Sequence, residues 1–432
     1  MPIYSAQPDL EIPNSTVYDV LFGNLADEDR DHIAITDDAT GSTTTYAELK
    51  ALVDAFAGAL THRGIKPGEV IGLHCPNSLA SAVAFPGSLR AGASVTTLGA
   101  LLNTADIAQQ LKDSAASYLF TTSMLGQAGF AGAKEAGIVA QNIVDLTDEN
   151  TGVQALVAAG YAPPDLDIDP ATHVAALPYS SGTTGLPKGV RLSHRNLVAN
   201  IVQMSARLQA NGVHRDSVLM CVLPFSHIYG MNVLLNVGLR LRSRIVAMPK
   251  FELGNFLAAH QKYGVTFTFI APPIAVALAK HPLVADFDIS ALETVLSGAA
   301  SLDGELARAV ADRLGVNVIQ GFGMTETSPV TNVGDIGVTP LDSIGVPVAN
   351  TEIKVVDVSS AAFEEIPLPA RAGQRSADGE LWVRGPQVML GYLNNDAATR
   401  RIMVDDGWLR TGAIAHLDHR SNAYVGGRLK PW

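Results

Sequence analysis

One loop, set between two different hydrophobic patterns, constrains this chain more than any other stretch. Residues 174–177 form an apolar run of buried-strand length. From Ser193, a natural N-cap, Leu197, Ile201, Met204 and Leu208 recur at helical spacing. Between them stands Pro178-Tyr179-Ser180-Ser181-Gly182-Thr183-Thr184-Gly185-Leu186-Pro187-Lys188-Gly189-Val190. A strand that feeds a glycine- and hydroxyl-rich loop and then a helix is a unit of an α/β sheet, and it suits phosphate. Glycines let backbone N–H groups approach an anion, hydroxyls donate further bonds and the lysine adds a point charge. The Walker arrangement is excluded, because Pro187 stands where it needs glycine.

The rest of the chain repeats the strand-and-helix alternation. Thr45 and Glu48 have capping-box spacing before a helix with Leu49, Val53, Phe56 and Leu60 on one face. Strands are expected near 70–75, 94–98, 118–122 and 143–146, with helices at 78–90 and after Thr104. A Pro- and Asp-rich linker covers 160–170, and a second series of strands falls at 218–223, 244–248, 265–270, 292–296 and 317–320. A helix is expected over 304–314, and short alternating strands at 351–358 and 380–383 lie among Gly and Pro turns. The pattern predicts two doubly wound α/β subdomains, 1–170 and 171–344, and a smaller β-rich subdomain, 345–425, before a short end segment, 426–432. A net charge of −12 disfavours nucleic acid and anionic membrane as bulk partners. Cys75 and Cys221 are the only cysteines and read as core residues of a reducing compartment. No apolar run has the length of a membrane span and no signal-peptide pattern precedes Asp9 and Glu11, so a cytoplasmic location is expected.

Three further stretches sit at expected strand ends, where open α/β sheets place ligands. In Gln320-Gly321-Phe322-Gly323-Met324-Thr325-Glu326-Thr327, a carboxylate beside phosphate calls for a divalent cation between them, so Glu326 reads as a magnesium ligand. Thr325 can donate to an oxyanion, and Phe322 can stack on a flat base. The second stretch is Leu223-Pro224-Phe225-Ser226-His227-Ile228-Tyr229-Gly230-Met231. The third is the small-residue turn Ser297-Gly298-Ala299-Ala300, which permits close backbone approach.

These motifs, with 379–386, 391–392 and 407–412, resemble in order and spacing the adenylate-forming superfamily of acyl-CoA synthetases, 4-coumarate:CoA ligases and firefly luciferase. The texture is most similar to the coumarate ligase and fatty acyl-CoA synthetase branch. The resemblance implies an ATP-dependent acid–CoA ligase. A carboxylate attacks the α-phosphate of ATP to give acyl-AMP, and coenzyme A then displaces AMP, with Mg²⁺ as the metal. It assigns catalysis to Lys188, Thr325, Glu326 and His227. It assigns ATP to Ser180, Ser181, Gly182, Thr183, Thr184, Gly185, Lys188, Ala299, Gln320, Gly321, Phe322, Gly323, Thr325 and Arg428. The acid falls to His227, Ile228, Tyr229, Gly230, Ser297, Gly298, Ala299, Ala300 and Gly323.

The chain also departs from the family pattern. Thr411-Gly412-Ala413 stands where the family has Thr-Gly-Asp, whose aspartate holds the ribose hydroxyls. The hinge reads Gly427-Arg428-Leu429-Lys430, with glycine for aspartate, and the sequence ends at Trp432 without the family's mobile lysine-bearing domain. Impaired turnover is therefore expected. The competing reading is a non-catalytic nucleotide- or acyl-binding relative on the same fold. Ser301-Leu302-Asp303-Gly304 lacks the lysine that coumarate ligases often carry there, which weakens a hydroxycinnamate assignment.

Overall fold

Among the described residues three sheets carry the chain. In the computed structural model, residues 3–5, 7–180, 187–360 and 362–429 are described. Ser181, Gly182, Thr183, Thr184 and Gly185, assigned above to phosphate, lie outside them.

The first sheet runs Ile143–Asp145, Ala116–Thr121, Val70–Leu73, Ser94–Thr97 and Val174–Ala176, all parallel. Lys188–Ser193 and then Gly391–Tyr392 continue it antiparallel, and Tyr179–Ser180 folds back on Lys188–Ser193. The second sheet has a parallel centre: Ile33–Asp37, Arg244–Ala247, Val218–Cys221, Phe267–Ile270, Thr294–Ser297 and Asn317–Gly323. Thr43–Thr45 borders it on one side, and Val330–Val333 with Val346–Pro347 on the other, all antiparallel. The third sheet is antiparallel throughout: Ile3–Tyr4, Glu352–Val356, Gly379–Arg384, Leu409–Leu417 and Ala423–Arg428.

The sheets exchange segments across the expected linear divisions. Ile33–Asp37 joins the second sheet, whereas Val174–Ala176, Lys188–Ser193 and Gly391–Tyr392 join the first. One hydrophobic cluster, containing Phe56, Phe120, Leu197, Met204, Leu234 and Phe269, runs between these two sheets. Tyr392 belongs to it as well.

Helix Tyr46–His62 opens with the Thr45–Glu48 capping box, as the spacing implied. Helix Thr104–Asp113 is capped one residue earlier than expected: Asn103 accepts from the Asp106 N–H. The helix after the loop, His194–Ala210, is capped by Ser193. Leu197, Ile201, Met204 and Leu208 are buried, as their periodicity requires. Its polar face is buried too, because it bonds backbone from later segments. Asn196 donates to the Pro386 and Val388 carbonyls at 2.9 and 2.8 Å. Asn200 donates to the Val330 carbonyl and accepts from its N–H at 2.8 and 3.0 Å. Gln203 donates to the Ala349 carbonyl at 2.7 Å, and Arg207 to the Val333 carbonyl at 3.0 Å. Each residue thus satisfies polar groups that burial would otherwise leave costly. The helix is the seam joining the strand after Glu326 to the third sheet. Cys75 and Cys221 are buried free thiols. Among the described residues no helix is long and apolar enough to cross a membrane.

Candidate active site

The C-terminal ends of Thr294–Ser297 and Asn317–Gly323 release two turns side by side, and two cavities open over them. The first, of about 260 Å³, is lined by His227, Ile228, Tyr229, Gly230, Gly298, Ala299, Gly321, Phe322, Gly323 and Thr325 from the sequence motifs. Met204, Leu223, Leu296, Met324, Val330 and Val333 complete much of its apolar wall. The second, of about 290 Å³, shares Ala299, Gly321, Phe322 and Gly323 and adds Ala300, Ala413 and Arg428.

Small residues make this geometry possible. A Cβ on Gly230 would lie 2.0 Å from the Pro224 carbonyl oxygen, and one on Gly298 would lie 2.8 Å from the Tyr229 ring. Ala299 holds φ +68°, a left-handed conformation that costs a non-glycine residue energy and clusters at functional turns. Gln320 lines neither cavity. Its amide accepts from the Leu302 N–H at 3.0 Å and donates to the Leu302 carbonyl at 2.8 Å, so it braces the turn. Ser297 also lines neither cavity; it is buried at the strand end.

His227 sits exposed at the rim of the first cavity, yet protein packed around it lowers its pKa below the usual imidazole value. The half-buried Tyr229 donates its phenol O–H toward the Leu296 carbonyl, 3.5 Å away, and its pKa is raised by desolvation. Tyr229 and Gly230 lie on a helix with wide π-type turns, Tyr229–Val237.

Glu326 lies beside the cavities in the short 3₁₀ turn Thr325–Thr327 and is only 5% exposed. Its Oε1 accepts from Ser180 Oγ at 3.1 Å and from the Tyr392 phenol at 2.6 Å. Lys188 Nζ stands 5.4 Å from the centroid of the same Tyr392 ring. The loop lysine and the carboxylate, 138 positions apart by their numbers (326 − 188), therefore meet around one tyrosine. Among the described residues no group of three or more His, Cys, Asp or Glu could hold a metal. A cation at Glu326 would thus take one carboxylate and complete its shell with phosphate oxygens and water, the usual arrangement for Mg²⁺ with a nucleotide.

The residues that sequence reasoning missed are Met204, Val330, Val333, Tyr392 and the bracing Asn200. Met204 was visible as an apolar helix position. The antiparallel Val330–Val333 was hidden because Ser328-Pro329 reads as a strand breaker.

The chain matches the AMP-binding enzyme family over residues 22–393. It is 37% identical to 4-coumarate–CoA ligase 5 of Oryza sativa subsp. japonica, over 99% of this chain and 78% of that protein. It is 36% identical to 4-coumarate–CoA ligase 2 of Petroselinum crispum at the same coverage. The structure of ATP-bound MatB from Rhodopseudomonas palustris superimposes with a TM-score of 0.84 at 26% identity, covering 96% of this chain and 79% of that one.

Proposed function

The chain belongs to the AMP-binding enzyme family, and from that premise we propose that it is an acid–thiol ligase acting on an apolar carboxylic acid. The acid's carboxylate oxygen attacks the α-phosphorus of ATP, the bond to pyrophosphate breaks, and an acyl adenylate forms. The thiol of coenzyme A then takes the acyl group and AMP leaves.

The observation that carries this reading is the pair of cavities meeting at Gly321, Phe322 and Gly323. One serves the acid and the other the adenosine, so carboxylate and α-phosphate meet at the shared turn. Thr325 stands there to donate to the oxyanion. Among the described residues no Asp, Glu, Lys or Arg lines the first cavity, and His227 is held toward neutrality, which suits an aromatic or medium-to-long aliphatic acid better than a dicarboxylate. Phe322 offers a face to the base, and Arg428 a cation to the nucleotide. Lys188 and the loop preceding it would hold the phosphates. Glu326 would hold Mg²⁺, which when bound offsets the charge that repels an attacking carboxylate.

Acid-dependent exchange of labelled pyrophosphate into ATP tests the reading. Exchange should appear with hexanoate, octanoate or phenylpropanoate and not with malonate, and Glu326→Gln should cut it by about a hundredfold or more. Ala413 favours a second reading, a relative that binds nucleotide or acyl group without turnover. Among the described residues no carboxylate lines the second cavity to hold the ribose. Tight binding of an acyl-AMP mimic with no exchange for any acid would favour that reading.

A further inference from the structure

Glu326 does not orient its carboxylate alone. Gly391–Tyr392 pairs antiparallel with Lys188–Ser193, placing Tyr392 opposite Val190. The Leu390 N–H donates to the Arg191 carbonyl and the Leu393 N–H to the Gly189 carbonyl, at 2.9 and 2.8 Å. The Tyr392 N–H donates to Thr399 Oγ1 at 2.9 Å. These bonds seat a ring that is 7% exposed between two charged groups, its O–H on Glu326 Oε1 and Lys188 over its face. Ser180 donates to that same oxygen, whereas Oε2 has no hydrogen-bond partner among the described residues. The phenol O–H is the donor of its bond to Oε1, because an ionised carboxylate only accepts.

We propose that Tyr392 is a positioning residue of the nucleotide site: by occupying Glu326 Oε1 it stops the carboxylate rotating and leaves Oε2 as the one oxygen presented to the divalent cation of a metal–nucleoside triphosphate. A carboxylate that turns freely must be ordered when the metal binds; one already held by a neutral donor is not. Partners that orient a ligand in this way commonly contribute ten- to hundredfold in metal affinity. The inference rests on the adenylation reading given above.

Tyr392→Phe keeps the ring under Lys188 and removes only the O–H. Calorimetric titration with ATP in excess Mg²⁺, and again in excess chelator, separates orientation from packing. Tyr392→Phe should weaken Mg–ATP binding about tenfold and leave metal-free ATP binding unchanged, with a similar thermal midpoint. Equal losses in both media would make Tyr392 a packing residue, and unchanged Mg–ATP affinity would overturn the proposal. If the unsubstituted chain binds ATP in neither medium, the nucleotide reading fails and the proposal fails with it. Should Tyr392→Phe not fold, Thr399→Val removes the acceptor of the Tyr392 N–H and loosens the seat of the ring, with a smaller metal-specific loss expected.

Discussion

Ala413 lies directly opposite Arg428 in the antiparallel pair Leu409–Leu417 and Ala423–Arg428, and both line the second cavity. Ala413 is 2% exposed and offers that cavity a methyl group, with no acceptor for a sugar hydroxyl. Ala413→Asp should therefore tighten ATP binding about tenfold, the worth of one hydrogen bond to a charged acceptor. Calorimetry with ATP and with 2′,3′-dideoxy-ATP checks this. A gain of equal size for the dideoxy nucleotide would show that the new charge acts without touching the ribose.

Asn200 satisfies both backbone groups of Val330. Asn200→Ala should cost about 2–4 kcal/mol of folding stability, because it strands a buried N–H and leaves the carbonyl only the Gln387 amide, 3.5 Å away. It should also raise KM for the acid, because Val330 walls the first cavity. Urea unfolding measures the first effect, and a loss under about 1 kcal/mol would mean water replaces the amide.

Gly298 and Gly230 are both crowded, yet they should respond differently to alanine. At Gly298 the obstacle is the Tyr229 ring, which can turn. Gly298→Ala should fold with a loss of about 1–3 kcal/mol and change the acid preference. At Gly230 the obstacle is the Pro224 backbone, which cannot turn away, so Gly230→Ala should lose more stability than Gly298→Ala. Denaturation midpoints of the two variants decide the matter; the reverse order contradicts it.

His194 is 0% exposed, accepts from the Val17 N–H at 3.1 Å through Nδ1, and has its pKa pushed down to about 3 by burial. The unfolded chain takes up that proton near pH 6.5. Between the two values the unfolded state binds more protons, so stability is whole above about pH 6.5 and falls as pH drops toward about 3. His194→Asn places an amide oxygen where Nδ1 accepts. It should lower stability at neutral pH and flatten its dependence between about pH 4 and 6.5. Urea unfolding at several pH values tests this: parallel profiles for both proteins would assign the acid sensitivity elsewhere, for instance to His260, which burial lowers to about 4.

Much of the fold was legible because local rules act locally. Apolar periodicity located helix His194–Ala210, and the motif at 320–327 marked the strand end that both cavities share. The sheet membership of Ile33–Asp37 and Gly391–Tyr392 was not legible, because a strand's partner is chosen by tertiary packing and the partners lie far along the chain. The polar face of His194–Ala210 would ordinarily be read as solvated. Asn196, Asn200, Gln203 and Arg207 are instead buried on distant carbonyls, which no periodicity announces. Tyr392 was noticed as part of a motif, but its bond to Glu326 emerges only when the edge strand is paired.

Pairing of Gly391–Tyr392 with Lys188–Ser193 also bears on the order in which the protein can be made. When a ribosome has delivered the chain as far as Val346–Pro347, every strand of the second sheet exists. The first sheet then still has a bare edge at Lys188–Ser193, and Glu326 still lacks its tyrosine. An unpaired edge recruits other strands. A nascent chain stalled between these points, or a clone cut there, should therefore aggregate through that edge instead of behaving as a smaller working unit.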